Sequence, residues 1–309
     1  MAQKKLVVFF DGKSEEYTRN QFRKKFDLKV DFLQNSHLSW NDLVSIAHDY
    51  SVLRPKVVEQ EIELVNVFQK AIRDNKVNVI HSIRSRTKNP LHLIEKIVRK
   101  TDSSENNKRY KKYEKLTVDN YSMFITDLVG VRLLLRYRKD WESLHYFITD
   151  EFENKKANYI NDYIDDFKSE KDGYIAEKPI AYICAGDINI YPKRVIDHDI
   201  GDRYRSIHYI VKFGGFYSEI QTRTVFQEGW SEIDHDNRYP YLLDDRSLNV
   251  LSKVFSLISV VADEMSDTFV ELREQAQTPK SKKADIKNDV PNTKNSSVAI
   301  KDKLVNSNI

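Results

Sequence analysis

One cysteine, eight glycines and seven prolines are all that 309 residues contain of these types. The lone thiol, Cys184, excludes an internal disulfide and a cysteine-built zinc site, and it fits a reducing compartment. So few glycines leave no Gly-rich phosphate loop of the Walker or dinucleotide type. No Gly-x-Ser-x-Gly elbow occurs, so a serine-nucleophile hydrolase has no support. No run approaches the roughly 18 apolar residues of a membrane span. The apolar run at 6–10 meets Asp11 at once, unlike the core of a signal peptide. A net charge of +3 is too near balance to coat a nucleic acid. The expectation is a soluble, cytoplasmic protein with no membrane partner.

What is present supports a globular core: 40% hydrophobic and 11% aromatic residues, enough for one large domain or two small ones. A short strand opens the chain, with a helix near 39–50. Pro55 reads as the start of another, whose Val58, Ile62, Val65, Phe68 and Ile72 follow the 3.6 period. Asn89 and Pro90 read as the N-cap and first residue of a helix over 90–100. That helix docks Leu93, Ile94, Ile97 and Val98, and puts His92, Lys96 and Arg99 on its exposed side. The polar stretch 101–119 reads as a mobile loop. Strands are expected at 129–137, 180–190, 204–213 and 216–224, the last two joined through Gly214-Gly215 as a hairpin. Helices are expected at 141–152, 226–236 and 247–273. The last carries Leu248, Leu251, Phe255, Ile258, Ala262, Met265, Phe269 and Leu272, a heptad-like stripe that fits packing on the sheet or pairing with another subunit.

The fold class is therefore α/β (α+β), a mixed sheet of about five strands flanked by helices. The expected divisions are an N-terminal extension to residue 54, a main domain over 55–240, a C-terminal helix over 241–275 and a disordered tail over 276–309.

Charge placement points to chemistry. From Arg84 to Lys115 there are eleven Lys/Arg against four Asp/Glu, a run that by itself reads as a solvated face. Strand alternation, however, puts Tyr217, Glu219, Gln221 and Arg223 on one face of the last strand, and Tyr204, Ser206 and His208 line up on its hairpin partner. Asp127 opens the strand at 129. Two carboxylates, Asp127 and Glu219, suit Mg²⁺ held against phosphate oxygens, with Glu219 also able to take a proton from a hydroxyl. Arg86, Lys88, Lys96 and Arg99 suit a triphosphate, and Tyr204 suits a base. The His-Asp pairs at 48, 198 and 235 lack the helical bundle that an HD-type hydrolase requires, and His81 and His145 read as ordinary packing or surface residues.

Taken in order, these segments resemble the RelA/SpoT-type nucleotide pyrophosphotransferases, the alarmone synthetases. Arg86-Thr87-Lys88, Lys96 and Arg99 resemble the family's ATP-binding motif, and Asp127-x2-Gly130-x-Arg132 its metal-binding Asp-x-x-Gly-x-Arg. Tyr204-Arg205-Ser206-Ile207-His208 is similar to the acceptor-binding Tyr-x-Ser-x-His. Glu219-x-Gln221-x-Arg223-Thr224 resembles the catalytic strand, and residues 230–235 the helix after it. The likeness covers about 55–240 and implies a nucleotidyltransferase-like fold. It further implies that a nucleotide 3′-hydroxyl attacks the β-phosphate of ATP, moving a pyrophosphate and releasing AMP. Asp127 and Glu219 would hold Mg²⁺, with Glu219 activating the hydroxyl. Arg86, Lys88, Lys96, Arg99 and Arg132 would hold ATP, and Tyr204, His208, Gln221 and Arg223 the acceptor.

Two departures stand out: His92 replaces the usual Ser, and Ile200-Gly201-Asp202-Arg203 replaces Lys-x-Asn-Gly, so an acid stands where a guanine nucleotide would meet Lys and Asn. The expected product is ppGpp or pppGpp made from GDP or GTP in the stringent response. The altered loop and the Lys/Arg cluster at 108–112 motivate an alternative, a toxin-like enzyme that pyrophosphorylates the 3′-end of tRNA and pairs with an antitoxin. A third reading is an inactive interaction module. A homo-oligomer is compatible with each.

Overall fold

A two-glycine turn sets the frame of the sheet. Strand β8 (Ser206–Phe213) pairs antiparallel with β9 (Phe216–Thr224), and Gly214 and Gly215 between them take φ +62° and +87°, left-handed backbone that favours glycine. A Cβ on Gly214 would also fall 3.0 Å from Gln60 Cγ, and Gln60 is a buried residue whose amide donates to the Phe216 carbonyl at 3.4 Å. β9 spans the expected residues, and β8 begins at Ser206 rather than Tyr204.

The computed structural model describes residues 4–104, 110–152, 173–239 and 242–277. The chain divides into two units, Met1–Asp267 and Thr268–Ile309. The described part of the second is the end of the last helix.

Within the first unit, β3 (Ile80–Thr87) runs antiparallel to β4 (Val129–Leu135), and β4 runs parallel to β9. On the other side of β8 lies β6 (Ile180–Cys184), antiparallel to it, and then the edge strand β7 (Asp197–Gly201), parallel to β6. The two-residue β5 (Tyr174–Ile175) also pairs β8. The expected mixed sheet of about five strands is thus a mixed sheet of seven, ordered β3-β4-β9-β8-β6-β7 with β5 beside β8. β3 and β7 escape a sequence reading because each is a polar strand at a sheet edge, with little apolar alternation.

Paired residues share a face of the sheet. Val131, Leu133, Ile220, Ile207, Tyr209, Val211 and Ala181 share the apolar one and are buried. It is covered by α2 (Trp40–Arg73), whose Gln60 reaches Ser218 at 2.5 Å, and by α6 (Trp141–Glu151), whose His145 meets Tyr209 at 3.0 Å. Helix α2 begins at a capping box between Ser39 and Asp42, not at Pro55. The apolar stripe Leu43, Ile46, Ala47, Tyr50, Val57 and Leu64 carries it across the proline at the cost of one backbone hydrogen bond. The boundary expected at 54/55 therefore falls inside a helix.

Residues 4–40 join the same core. A hairpin of β1 (Leu6–Phe10) and β2 (Lys13–Tyr17) leads to α1 (Arg19–Lys25). Leu6, Val8, Phe22 and Phe26 are buried, and the Trp40 indole donates to the Lys4 carbonyl at 2.8 Å. The described parts of 101–119 are not a free loop. Helix α4 (Tyr110–Tyr113) buries Tyr113, Leu116 is fully buried, and its carbonyl accepts from His37 Nε2 at 2.7 Å. A second short helix, α5 (Tyr121–Phe124), leads into β4. Residues 105–109, the boundary at 240 and the tail beyond 277 lie outside the described residues.

Helix α3 (Pro90–Lys100) starts as expected, with the Asn89 side chain accepting from Leu91 N at 2.8 Å. Helix α7 (Val225–Asn237) is capped by Thr224, and α8 (Arg246–Gln277) closes the described chain. Among the described residues no helix is long and apolar enough to cross a membrane.

Candidate active site

The second face of the sheet is charged. Register pairs Arg84 with Arg132 and Arg86 with Gly130 across β3 and β4, Gly130 with Glu219 and Arg132 with Gln221 across β4 and β9, and Gln221 with His208 across β9 and β8. Three adjacent strand pairs therefore bring most of the expected site residues onto one surface, and α7 lies over part of it.

Asp127 sits at the mouth of this surface. The β3–β4 ladder continues one step past Thr87, with Lys88 N–H donating to the Leu128 carbonyl at 2.8 Å, and this brings Lys88 beside Asp127. Lys88 Nζ lies 2.8 Å from Asp127 Oδ2, and Lys96 Nζ from α3 lies 2.8 Å from Oδ1. Lys96 was expected on the exposed side of α3, but it turns inward to this carboxylate and is 18% exposed. Against its burial, the two ammonium groups hold the Asp127 carboxyl far below the usual carboxylate range. Burial lowers Lys88, with Asp127 opposing it, whereas on Lys96 the acids outweigh burial and raise the pKa.

Glu219 is the neighbouring acid. Its Oε1 lies 3.0 Å from His208 Nδ1, and its Oε2 accepts from Gln221 Nε2 at 2.7 Å. Asp127 and Lys96 both act on its charge. His208 Nε2 meets the Tyr204 hydroxyl at 2.9 Å. Against burial, Tyr204 and Glu219 push His208 up to about 9, and His208 in turn holds Glu219 low despite its own burial.

Tyr204 stands in an aromatic group. Its ring centroid is 5.8 Å from Tyr182, 5.8 Å from His208 and 6.4 Å from Trp230, and the Arg223 guanidinium lies 5.5 Å over its face. Arg223 is itself only 6% exposed, and it bonds Gln221 Oε1.

The remaining cations expected to meet a polyphosphate, Arg86, Arg99 and Arg132, fall into three situations. Arg86 is exposed and makes no ion pair among the described residues; a Cβ on Gly130 would lie 3.8 Å from its Cγ, an ordinary contact. Arg99 stays exposed and pairs with the buried Glu95 at 3.1 Å. Arg132 is held at 3.0 Å by Glu228 and also bonds Glu232.

Glu228 is the residue that sequence reasoning missed. It is 4% exposed, and Arg84, Arg132 and Arg223 reach it at 3.3, 3.0 and 3.5 Å. The available signal was the i, i+4 pair Glu228/Glu232 on a helix that directly follows the strand of Glu219, Gln221 and Arg223. His92 and His235 border the same region. Burial lowers both pKa values, aided by Lys88 for His92 and by Arg86 for His235.

Among the described residues no group of three or more His, Cys, Asp or Glu side chains could hold a metal ion. The pair Asp127 and Glu219 is a hard-oxygen set of the kind Mg²⁺ accepts, because Mg²⁺ keeps several waters and takes few protein ligands. Each Asp127 oxygen lies 2.8 Å from an ammonium, Lys96 at Oδ1 and Lys88 at Oδ2, and a carboxylate oxygen keeps further lone-pair capacity beyond one such contact.

Residues 85–243, just over half of the chain, match the family described as "Region found in RelA / SpoT proteins". Similar solved structures include the small alarmone synthetase 1 from Bacillus subtilis bound to its product pppGpp, at 16% identity and TM-score 0.46, covering 74% of this chain and 97% of that one. A GTP pyrophosphokinase family protein from Streptococcus pneumoniae is similar at 17% identity and TM-score 0.44, covering 73% and 93%. The protein smu.1046c from Streptococcus mutans is similar at 19% and 0.47, covering 73% and 97%. No curated protein matches.

Proposed function

The chain belongs to the RelA/SpoT family, and from this premise we propose that it transfers pyrophosphate from ATP to the 3′-hydroxyl of a guanosine nucleotide, GDP or GTP, releasing AMP. The observation that carries the reading is the pairing of Lys88 and Lys96 with Asp127, just ahead of the strand β4 that runs alongside the Glu219 strand, with Gly130 paired to Glu219. Cations for a triphosphate and a carboxylate for a hydroxyl then adjoin at one point.

Phosphoryl-type transfer asks little covalent chemistry of a protein; positioning and charge neutralisation do most of the work. In this reading Arg86, exposed and without an ion pair among the described residues, and Arg99 take phosphate oxygens. Lys88 and Lys96 exchange Asp127 for them, and Arg132 is aimed by Glu228. Asp127 and Glu219 would hold Mg²⁺, which when bound would neutralise phosphate charge. Glu219, held ionised by His208, is a weak base at rest. It serves by orienting the 3′-hydroxyl and taking its proton late, as the bond to phosphorus forms. Gln221 fixes the Glu219 carboxylate, and Tyr204 and His208 frame the acceptor.

A second reading, transfer to the 3′-end of tRNA, is favoured by the acceptor side. β7 places Asp197 and Asp199 on the face that holds Tyr182 and His208, and the nearby cations are engaged: Arg203 by Asp202, Arg205 by Asp187 and Lys178 by Asp197. Such a surface suits an acceptor with a single phosphodiester better than a 5′-triphosphate. Labelled ATP with Mg²⁺, offered GDP, GTP, ATP or deacylated tRNA, decides between them by which acceptor gains label. Transfer to none of the four refutes both readings. Glu219→Ala is expected to abolish transfer and leave ATP binding largely intact, and retained turnover would remove Glu219 from the chemistry.

A further inference from the structure

Helix α2 lies outside the residues that match the family, yet it is bonded to both chain segments from which the donor side of the site is built. The Tyr50 hydroxyl donates to the Lys88 carbonyl at 2.8 Å. One residue earlier, the Asp49 carboxylate accepts from the Tyr121 hydroxyl at 2.7 Å. Lys88 follows β3, and Tyr121 opens α5, which leads to Asp127. Two adjacent residues of one helical turn therefore hold the segment that carries Lys88 and the segment that carries Asp127.

The backbone of Lys88 is the junction. Its N–H donates to the carbonyl of Leu128, the neighbour of Asp127, at 2.8 Å, and its carbonyl accepts from Tyr50. Both backbone polar groups of Lys88 are thus fixed, one by the Asp127 segment and one by α2. The next residue, Asn89, caps α3, the helix that presents Lys96. A shift of the Lys88 carbonyl would carry both ammonium groups away from Asp127.

Tyr50 is fully buried and Tyr121 is 2% exposed. Phenylalanine would fill either place, and a buried hydroxyl is costly unless it is bonded. Burial raises both phenols well above their ordinary value of 10.0, and Asp49 raises Tyr121 further. Each hydroxyl therefore keeps its proton and acts as a donor.

We propose that Tyr50 and Asp49 are positioning residues of the donor site: they set the spacing of Lys88 and Lys96 from Asp127, and with it the affinity for a triphosphate. The proposal rests on the donor reading given above and adds residues that lie outside the family match.

The test compares Tyr50→Phe, Asp49→Ala and Asp49→Asn with the wild type, each as the full chain. Binding of ATP with Mg²⁺, measured by titration calorimetry, should weaken roughly fivefold in Tyr50→Phe, about 1 kcal/mol. Asp49→Ala and Asp49→Asn lose the same charge, so their difference isolates the hydrogen bond. Asparagine keeps an oxygen for Tyr121 and should bind ATP several-fold more tightly than alanine. The side-chain ammonium NMR resonances of Lys88 and Lys96, recorded without nucleotide, should move in Tyr50→Phe and Asp49→Ala. Tyr209→Phe removes a buried hydroxyl that bonds His145; it should lower the melting temperature to a similar extent and leave both readouts unchanged. Wild-type ATP affinity in both Tyr50→Phe and Asp49→Ala overturns the proposal, and so does an equal loss in Tyr209→Phe. A wild type that binds no ATP defeats the donor reading instead; the lysine resonances then decide, and unmoved resonances overturn the positioning role. Asp49 is exposed, so its two variants carry the test if Tyr50→Phe fails to fold.

Discussion

Replacing Asp127 by asparagine probes the centre of the site with an outcome fixed by simple electrostatics. The carboxylate is shared by two ammonium groups at 2.8 Å each, and all three side chains are 14–18% exposed. At an effective dielectric of 20 each pair has a gross attraction of about 6 kcal/mol, most of it offset by desolvation. The variant keeps the two lysines and removes the charge they share. Losing one partner of a buried pair costs about 3–5 kcal/mol, which for a unit of this size lowers the melting temperature by on the order of 10 °C.

The dependence on pH follows from the direction of the shift. The folded pKa of Asp127 is depressed, so its contribution is complete above the ordinary value of 3.8 and is lost only as the pH falls through the folded value. The gap between wild type and Asp127→Asn should therefore stay constant from neutral pH down to about the ordinary value of 3.8 and shrink below it. The same substitution frees Lys88 and Lys96, so inorganic tripolyphosphate in EDTA should bind the variant roughly tenfold more tightly, about 1.4 kcal/mol, measured by titration calorimetry. Unchanged melting together with unchanged tripolyphosphate affinity would show that the lysines are not committed to Asp127, and the basis of the donor site would be lost.

The His208–Glu219 pair should give stability of the opposite pH sense. His208 is raised to about 9, so its contribution, at most about 3 kcal/mol, is complete below the ordinary histidine value of 6.5 and fades as the pH rises through 9. The melting difference between wild type and His208→Gln should shrink over that interval, and a difference that grows with pH would contradict the pairing. Glu228→Gln removes the anion that gathers Arg84, Arg132 and Arg223. The KM for ATP is expected to rise several-fold with kcat little changed, and Glu228→Asp should restore part of it; a fall in kcat alone would place Glu228 elsewhere in the mechanism.

How much of this was legible in the sequence depended on how locally each feature is encoded. Asn89-Pro90 and Gly214-Gly215 act through their own backbone, and both announced their elements. Glu219, Gln221 and His208 were readable as one face because a strand's period of two needs no partner to be seen. Pro55 misled because a local rule competed with a longer one: its preference for a first turn is real, yet the capping box at Ser39 and a stripe from Leu43 to Leu64 outweigh one lost hydrogen bond. β3 and β7 were hidden because edge strands with a charged face contain few apolar residues to count. Lys96 was placed on the wrong side of α3 because its partner, Asp127, enters from the turn before β4, about thirty residues later. Glu228 was missed for the same reason, its three arginines arriving from three separate strands.

Helix α8 shows the limit of periodicity most clearly. Its apolar stripe was visible at once, but Ser252, Ser256, Ser259 and Asp263 repeat along the opposite side with nearly the same spacing. Either stripe could face the domain on pattern alone. The choice is made by Arg203, Asp234, Gln227 and Arg138, whose hydrogen-bonding groups meet the polar stripe and would be left without those partners against the apolar one. Unpaired buried donors and acceptors each cost about 1–3 kcal/mol, comparable to the about 1.5–3 kcal/mol that burying one leucine returns, and here several would be stranded together. The domain therefore takes the serines, and the hydrophobic seam faces outward.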